Sequence, residues 1–229
     1  MLSRWGHYLA GVTWIGLLYY FNFVQVPSFA TFEAAGRTEA IAKLVPRALW
    51  WFRWAAVLTV LFGLSILAFQ DQLNGDYFKS AGGISISTGI VLALIMFLNV
   101  WLVIWPNQKI IIANAQGNLP AGADPAAAGR KGLLASRTNT LFSIPMLFFM
   151  GATSHFAVQA GFDTSESSKR GAFMGVSFLI ILLLELNALG VLGGTGQAPH
   201  RRYMETHRDT IIAGFVLTAI LYVLFSIFF

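Results

Sequence analysis

The sequence predicts an all-α, polytopic integral membrane bundle of about six transmembrane helices, forming one domain over residues 1–229, and three observations carry that prediction. First, 56% of the residues are hydrophobic and only 11% charged, with a mean hydropathy of +0.67. That is the balance of a chain solvated by a lipid bilayer. Second, six stretches reach the roughly 20 mostly apolar residues a helix needs to cross the hydrocarbon core. They lie at about 5–28, 47–70, 83–106, 136–160, 171–195 and 209–229. Third, lysine and arginine fall unevenly between the segments that join these stretches.

The first stretch is too long and too aromatic for a secretory signal. It continues as Asn22-Phe23-Val24-Gln25-Val26-Pro27 without a small-residue cleavage site, so it is read as a retained helix. Residues 29–46 hold helix formers with Glu33, Arg37, Glu39 and Lys43, which suits a short amphipathic helix on the membrane surface or a plain solvated one. Residues 113–132 have the small-residue and proline content of a flexible loop. Glycines at Gly82-Gly83 and between Gly190 and Gly196 follow no strand. They are expected to permit close helix contact or to cap a helix, not to bind a nucleotide.

Six spans put both termini on one side. Of the 15 Lys and Arg, Arg4, Lys79, Lys169 and Arg170 lie on the side of the termini. The other eleven lie opposite: Arg37, Lys43, Arg47, Arg53, Lys109, Arg130, Lys131, Arg137, Arg201, Arg202 and Arg208. The positive-inside rule then makes both termini periplasmic in a bacterial inner membrane. This topology accounts for the net charge of +5, and because the basic residues are dispersed among short loops no nucleic-acid partner is expected. Cysteine is absent, which excludes disulfides, thiolate metal sites and covalently attached haem.

Two histidines stand out. His7 lies at the outer start of the first span, about 18 residues or roughly 27 Å before Gln25 near its inner end. His155 lies 18 residues after Arg137, which marks the inner start of the fourth. The two imidazoles are therefore expected at one depth, just inside the outer interface, as axial ligands of a non-covalent haem b require. Trp14, Trp5, Tyr8, Phe148, Phe149 and Phe156 are candidate walls for the porphyrin. The competing reading is an interfacial belt of histidine and aromatic residues. His200 and His207 belong to a charged inner loop and are read as surface residues.

Apart from Asp209 at the edge of the sixth, Glu185 is the one acidic residue inside any span, and ionisable groups at that depth are functional candidates. Asn22, Gln25, Arg53, Asn99 and Asn139 lie on the same inner half of the bundle and could join it in one polar cluster. That cluster would be a proton path or a polar substrate pocket. Alternatively, a Glu185–Arg53 ion pair would simply fix helix packing.

Several segments resemble the bacterial membrane-bound urate hydroxylase family, the cytochrome-c-linked urate oxidases. They are Arg4-Trp5-Gly6-His7, Gly11-Val12-Thr13-Trp14-Ile15-Gly16 with Tyr19-Tyr20, Ile104-Trp105-Pro106-Asn107-Gln108-Lys109, Arg137-Thr138-Asn139 through Pro145 to His155, and Glu185-Leu186-Asn187-Ala188-Leu189. The resemblance implies the membrane domain of such an enzyme, without the C-terminal cytochrome c domain of its longer relatives. It makes Asn107, Gln108, Asn139, Glu185 and Asn187 candidates for the polar site and places His7 and His155 within motifs. The electron acceptor would then be a separate periplasmic cytochrome c.

The leading expectation is a haem b-binding redox protein that oxidises a purine such as urate or relays electrons to that cytochrome. A second is a non-catalytic subunit of a larger respiratory or oxidase complex, packed against other membrane subunits or copies of itself. A third is a proton-coupled transporter that uses Glu185.

Overall fold

A computed structural model describes residues 1–159 and 161–229, and among them there are helices and loops but no strand. The helices are α1 (Leu2–Thr31), α2 (Ala34–Phe69), the short α3 (Gly75–Lys79), α4 (Ala81–Ala115), α5 (Pro125–Gln159), α6 (Ser167–Ala188) and α7 (His207–Phe228). A 3-10 turn at Pro199–Met204 precedes α7. Helices α1, α2, α4, α6 and α7 are long and apolar enough to cross a membrane. The fold is thus all-α, as the composition predicts, with five such helices where six spans are expected.

The helix that differs is α5. It is 35 residues long, but Arg130, Lys131, Arg137, Asn139 and a run of Ser and Thr dilute its apolar character. Its placement accounts for that composition. It packs against α1, α4, α6 and α7, and every residue from Arg137 to Phe142 is buried, as is Ser143. A helix enclosed by its neighbours can carry polar groups that a lipid-facing helix cannot, because the neighbours supply partners and exclude hydrocarbon. The opposite edge is formed by α2, which packs on α1 and α4 and leaves Trp50, Trp51 and Trp54 exposed.

Helix ends follow local chemistry. Asn74 caps α3 by accepting from the Tyr77 N–H, Ser80 caps α4 by accepting from Gly83, and Thr206 caps α7 by accepting from Asp209. Gly190 ends α6 with a positive φ of 82°, followed by Gly193 and Gly194 in the same region. The fifth span therefore stops at Ala188 instead of continuing to residue 195. Two other expectations also need correction. The segment expected to be a separate surface helix at 29–46 is largely the start of α2, which runs unbroken through Pro46 and already buries Val45 and Leu49. The loop expected at 113–132 shrinks to residues 116–124, because α5 begins at Pro125, a favoured first helical residue. The far end of the fourth predicted span, Ala160, lies outside the described residues.

Both α1 and α4 pass through a π-helical turn, at Tyr20–Gln25 and Asn99–Ile104. The Val26 N–H donates to the Phe21 carbonyl and the Trp105 N–H to the Val100 carbonyl, each five residues back. A proline follows in each case, Pro27 and Pro106. Proline has no N–H for the carbonyl four residues earlier and its ring crowds that position, so widening the turn relieves the conflict. Each widened turn holds a buried asparagine, Asn22 in α1 and Asn99 in α4.

Candidate functional site

The polar centre of the bundle is built by α4, α5 and α6. The Asn99 side-chain nitrogen donates one hydrogen to Asn139 Oδ1 at 3.0 Å and the other to Glu185 Oε2 at 3.1 Å. Asn139 in turn donates to the Met96 carbonyl at 3.0 Å. All three side chains are buried, Asn139 completely and Glu185 to 8% exposure. Among the described residues Glu185 has no cationic partner within 4 Å. The arrangement is a carboxyl fixed by one amide, itself fixed by a second. Such a group can take up or release a proton, or hold a ligand N–H, without an internal cation competing for it.

Arg53 is not part of this centre. Its guanidinium lies 3.4 Å from the centroid of the Trp105 ring and 5.4 Å from that of Trp101, while its Nε donates to the Leu49 carbonyl. A stacked guanidinium loses less hydration than one paired inside the bundle, so the α2–α4 contact holds Arg53 by cation–π attraction. The expected Glu185–Arg53 ion pair does not form. Asn107 turns back to the Val103 carbonyl, and with Gln108 it lies against Gly132 at the α4–α5 contact.

Asn187, two residues beyond Glu185 toward the loop, belongs to a separate network. It donates to the Tyr203 hydroxyl and the His200 carbonyl, each at 3.0 Å, and its Oδ1 accepts from Arg201 Nε at 3.2 Å. Arg201 is fully buried and also donates to the Leu192 and Gly196 carbonyls, so this guanidinium ties the glycine-rich turn after α6 to the 3-10 turn. Burial raises the Tyr203 pKa, while the Asn187 hydrogen bond and the Arg201 charge act the other way. Outside this network Arg130 holds Glu205 through both carboxylate oxygens, at 2.7 and 2.9 Å, joining α5 to the same turn.

The histidines are close in level but do not share a wall. Tyr19 and Ser143 are hydrogen-bonded at 2.9 Å, and Asn22 donates to Ser136 Oγ at 2.8 Å, which sets the antiparallel register of α1 on α5. Counting from these contacts brings His7 and His155 toward one end of the bundle, within about one helical turn of each other. His7 Nδ1 is 2.8 Å from the Thr59 carbonyl, and its ring edge packs on Gly63 of α2. A carbonyl oxygen only accepts, so Nδ1 is the donor in that contact. His155 is exposed in a groove of about 810 Å³ between α5 and α7, beside Phe148, Phe156 and Tyr222, and no α1 residue lines that groove. Trp14 is completely buried in the core, whereas Trp5 and Tyr8 face outward.

The sequence groups Asn22 and Gln25 with Glu185, but Asn22 instead bonds Ser136 across the α1–α5 contact, and Arg137, which the sequence marks only as the inner start of a span, is buried. Among the described residues no acceptor meets Arg137 Nε and Nη1, and no donor meets Asn22 Oδ1 or Gln25 Oε1.

No curated protein matches the chain, and no solved structure matches it. The family model described as urate oxidase N-terminal matches residues 75–167, a segment that contains α3, α4 and all of α5, with Asn99, Arg137 and Asn139. Over that segment the chain is similar to the urate oxidase N-terminal family.

Proposed function

We propose that this protein is the membrane-embedded part of a urate-oxidising system, with both termini periplasmic, in which a purine bound within the bundle gives up electrons to a periplasmic cytochrome c. The observation that carries the reading is Glu185, a buried carboxyl held by Asn99, which is itself bonded to Asn139, with no cation within 4 Å among the described residues and beside the segment that matches the family. Urate oxidation with water as oxygen source bonds the water oxygen to a ring carbon and releases protons and electrons in equal number. Glu185 is the group that takes up a proton at that step, and Asn99 keeps its carboxyl oriented. The electrons leave one at a time to two molecules of the acceptor.

A haem b would supply the one-electron relay. His7 suits a ligand of such a group, because the Thr59 carbonyl accepts from its Nδ1–H, as the outer hydrogen bond that orients a metal-bound imidazole does. His155 would have to reach the same iron from a different wall of the bundle, so support from the geometry rests on His7.

The test is full-length protein in nanodiscs, supplied with haem, urate and a soluble ferric cytochrome c. Urate-dependent reduction of the cytochrome is expected, and Glu185→Gln slows it by about 10²-fold or more. Absence of both urate consumption and cytochrome reduction would overturn the reading. A Soret band lost in His7→Ala checks the ligand independently. The same carboxyl would serve a proton-coupled transporter, and urate uptake into vesicles without product formation would mark that alternative.

A further inference from the structure

The cations at the α2–α4 contact have no part in the polar centre or in the proposed reaction. Arg53 stacks on Trp105, its guanidinium carbon 3.4 Å from the ring centroid, and Lys109 Nζ lies 5.7 Å from the centroid of the same ring. Two like charges at one indole repel each other, and the electron-rich face of the ring offsets only part of that. Among the described residues neither cation has a carboxylate within 4 Å. The one hydrogen bond of Arg53 among them runs from Nε to the Leu49 carbonyl, so both terminal nitrogens of the guanidinium are left without a protein acceptor. An anion is what this corner lacks.

Its level along the helices narrows the choice of anion. Gln116 Nε2 donates to the Ala42 carbonyl, and eleven residues on, up α2 and back down α4, Arg53 meets Trp105, so the two helices run antiparallel in register. Helix α2 is uncharged from Trp54 to Phe69, roughly 24 Å, and α4 is uncharged from Ala81 to Gln108. Arg53 and Lys109 are thus the charges that border the apolar run on their two helices, brought to one ring. On the same turns of α2, Trp50, Trp51 and Trp54 are exposed, and Trp54 packs edge-on against Trp101 at 5.7 Å. Indoles gather where acyl chains give way to headgroups. A soluble phosphate would pair the cations and leave those indoles bare, whereas a phospholipid meets both, with its phosphate on the cations and its glycerol and upper acyl carbons on the rings. A zwitterionic headgroup brings a cation of its own, so a net-negative one fits better. We propose that Arg53, Lys109 and the tryptophans of this corner bind an anionic phospholipid, on the face that the charge bias leads one to expect to be cytoplasmic. The site does not depend on the urate reading, and it holds for a bundle of five spans as for one of six.

Native mass spectrometry of the full chain in detergent, titrated with phosphatidylglycerol or with phosphatidylcholine of the same acyl chains, tests it. Phosphatidylglycerol is expected to bind more tightly by about fivefold or more, and Arg53→Gln and Lys109→Gln each to weaken it by about fivefold while leaving phosphatidylcholine unchanged. Lys131→Gln, which removes an exposed cation of α5, is expected to alter neither. Equal affinity of the wild-type protein for the two lipids overturns the proposal. So does a loss with Lys131→Gln as large as that with Lys109→Gln, which would make the preference a matter of overall charge. Glycerol phosphate that displaces the lipid at equal concentration would make the ligand a soluble phosphate and overturn the lipid assignment. Lys109 is exposed, so Lys109→Gln decides the matter should Arg53→Gln fail to fold.

Discussion

Single positions in this bundle are constrained where backbones approach each other. A methyl group at Gly83 would overlap the Tyr77 carbonyl oxygen, and that oxygen belongs to the backbone of α3, which cannot rotate aside. Gly83→Ala is therefore expected to destabilise by about 1–3 kcal/mol or more, read as a lower thermal midpoint in detergent. Gly214 is similar: its added Cβ would meet the Leu141 carbonyl at 3.0 Å and Ile144 Cδ1 at 2.5 Å, where α5 and α7 touch. By contrast Gly16 has nothing within 4 Å, so Gly16→Ala serves as the neutral control. Asn99 is constrained by hydrogen bonding. Asn99→Leu removes the donor to both Asn139 and Glu185 and leaves two buried acceptors unpaired, at an expected cost of about 1–3 kcal/mol for each. Glu185 was legible in the sequence because one acid among apolar residues is conspicuous. Its partners were legible only as a set, since five polar side chains on one half of a bundle can pair in many ways and azimuth decides which do. Hence Asn99 and Asn139 joined Glu185, while Arg53 went to a tryptophan face.

At the scale of elements, hydrophobic run length located the helices well but misjudged what lies between them. Helix α2 begins at Ala34 because its polar first turns, which read as a separate segment, continue the same hydrogen-bonded ladder into the apolar stretch. The π turns of α1 and α4 left no trace in periodicity, since one extra residue per turn over six residues is too small a phase change, and only the prolines mark them. The join between α5 and the 3-10 turn carries a pH dependence. The Arg130 side-chain hydrogen bond holds the Glu205 carboxyl below the usual 4.5 of a glutamate, helped by the charges of Arg130, Arg137 and Arg201 and opposed by burial. A carboxyl whose pKa is lowered on folding stabilises the fold above its unfolded pKa and loses that contribution as pH falls through its folded pKa. The join is therefore expected to be intact at neutral pH and to weaken as the pH drops below about 4.5, by about 1 kcal/mol or less because the pair is partly solvated. Glu205→Gln should flatten that part of the curve of thermal midpoint against pH and lower the midpoint at neutral pH.

Across the whole molecule, the most polar long helix is the most enclosed one, and this is what a lipid solvent demands. Composition alone ranks α5 last among the candidate spans, yet it touches α1, α4, α6 and α7, and the polar centre leans on it through Asn139. If all six long helices cross the bilayer, the loop holding α3 and the segment before α6 lie on one side, with residues 116–124 and the 3-10 turn on the other. On the charge bias the first side is expected to be the periplasmic one. The absence of cysteine gives a direct measurement, because any cysteine introduced is the only one to react. Asp76→Cys, Ser165→Cys and Asn118→Cys each replace an exposed residue. In intact spheroplasts a membrane-impermeant maleimide should label the first two and spare Asn118→Cys until the membrane is opened. If Ser165→Cys is instead protected while Asp76→Cys reacts, α5 does not cross, the bundle has five spans, and the C-terminal end of α7 faces the cytoplasm. In that case a periplasmic electron acceptor could not dock beside Phe229, and the redox partner would have to approach at the end where α1 begins.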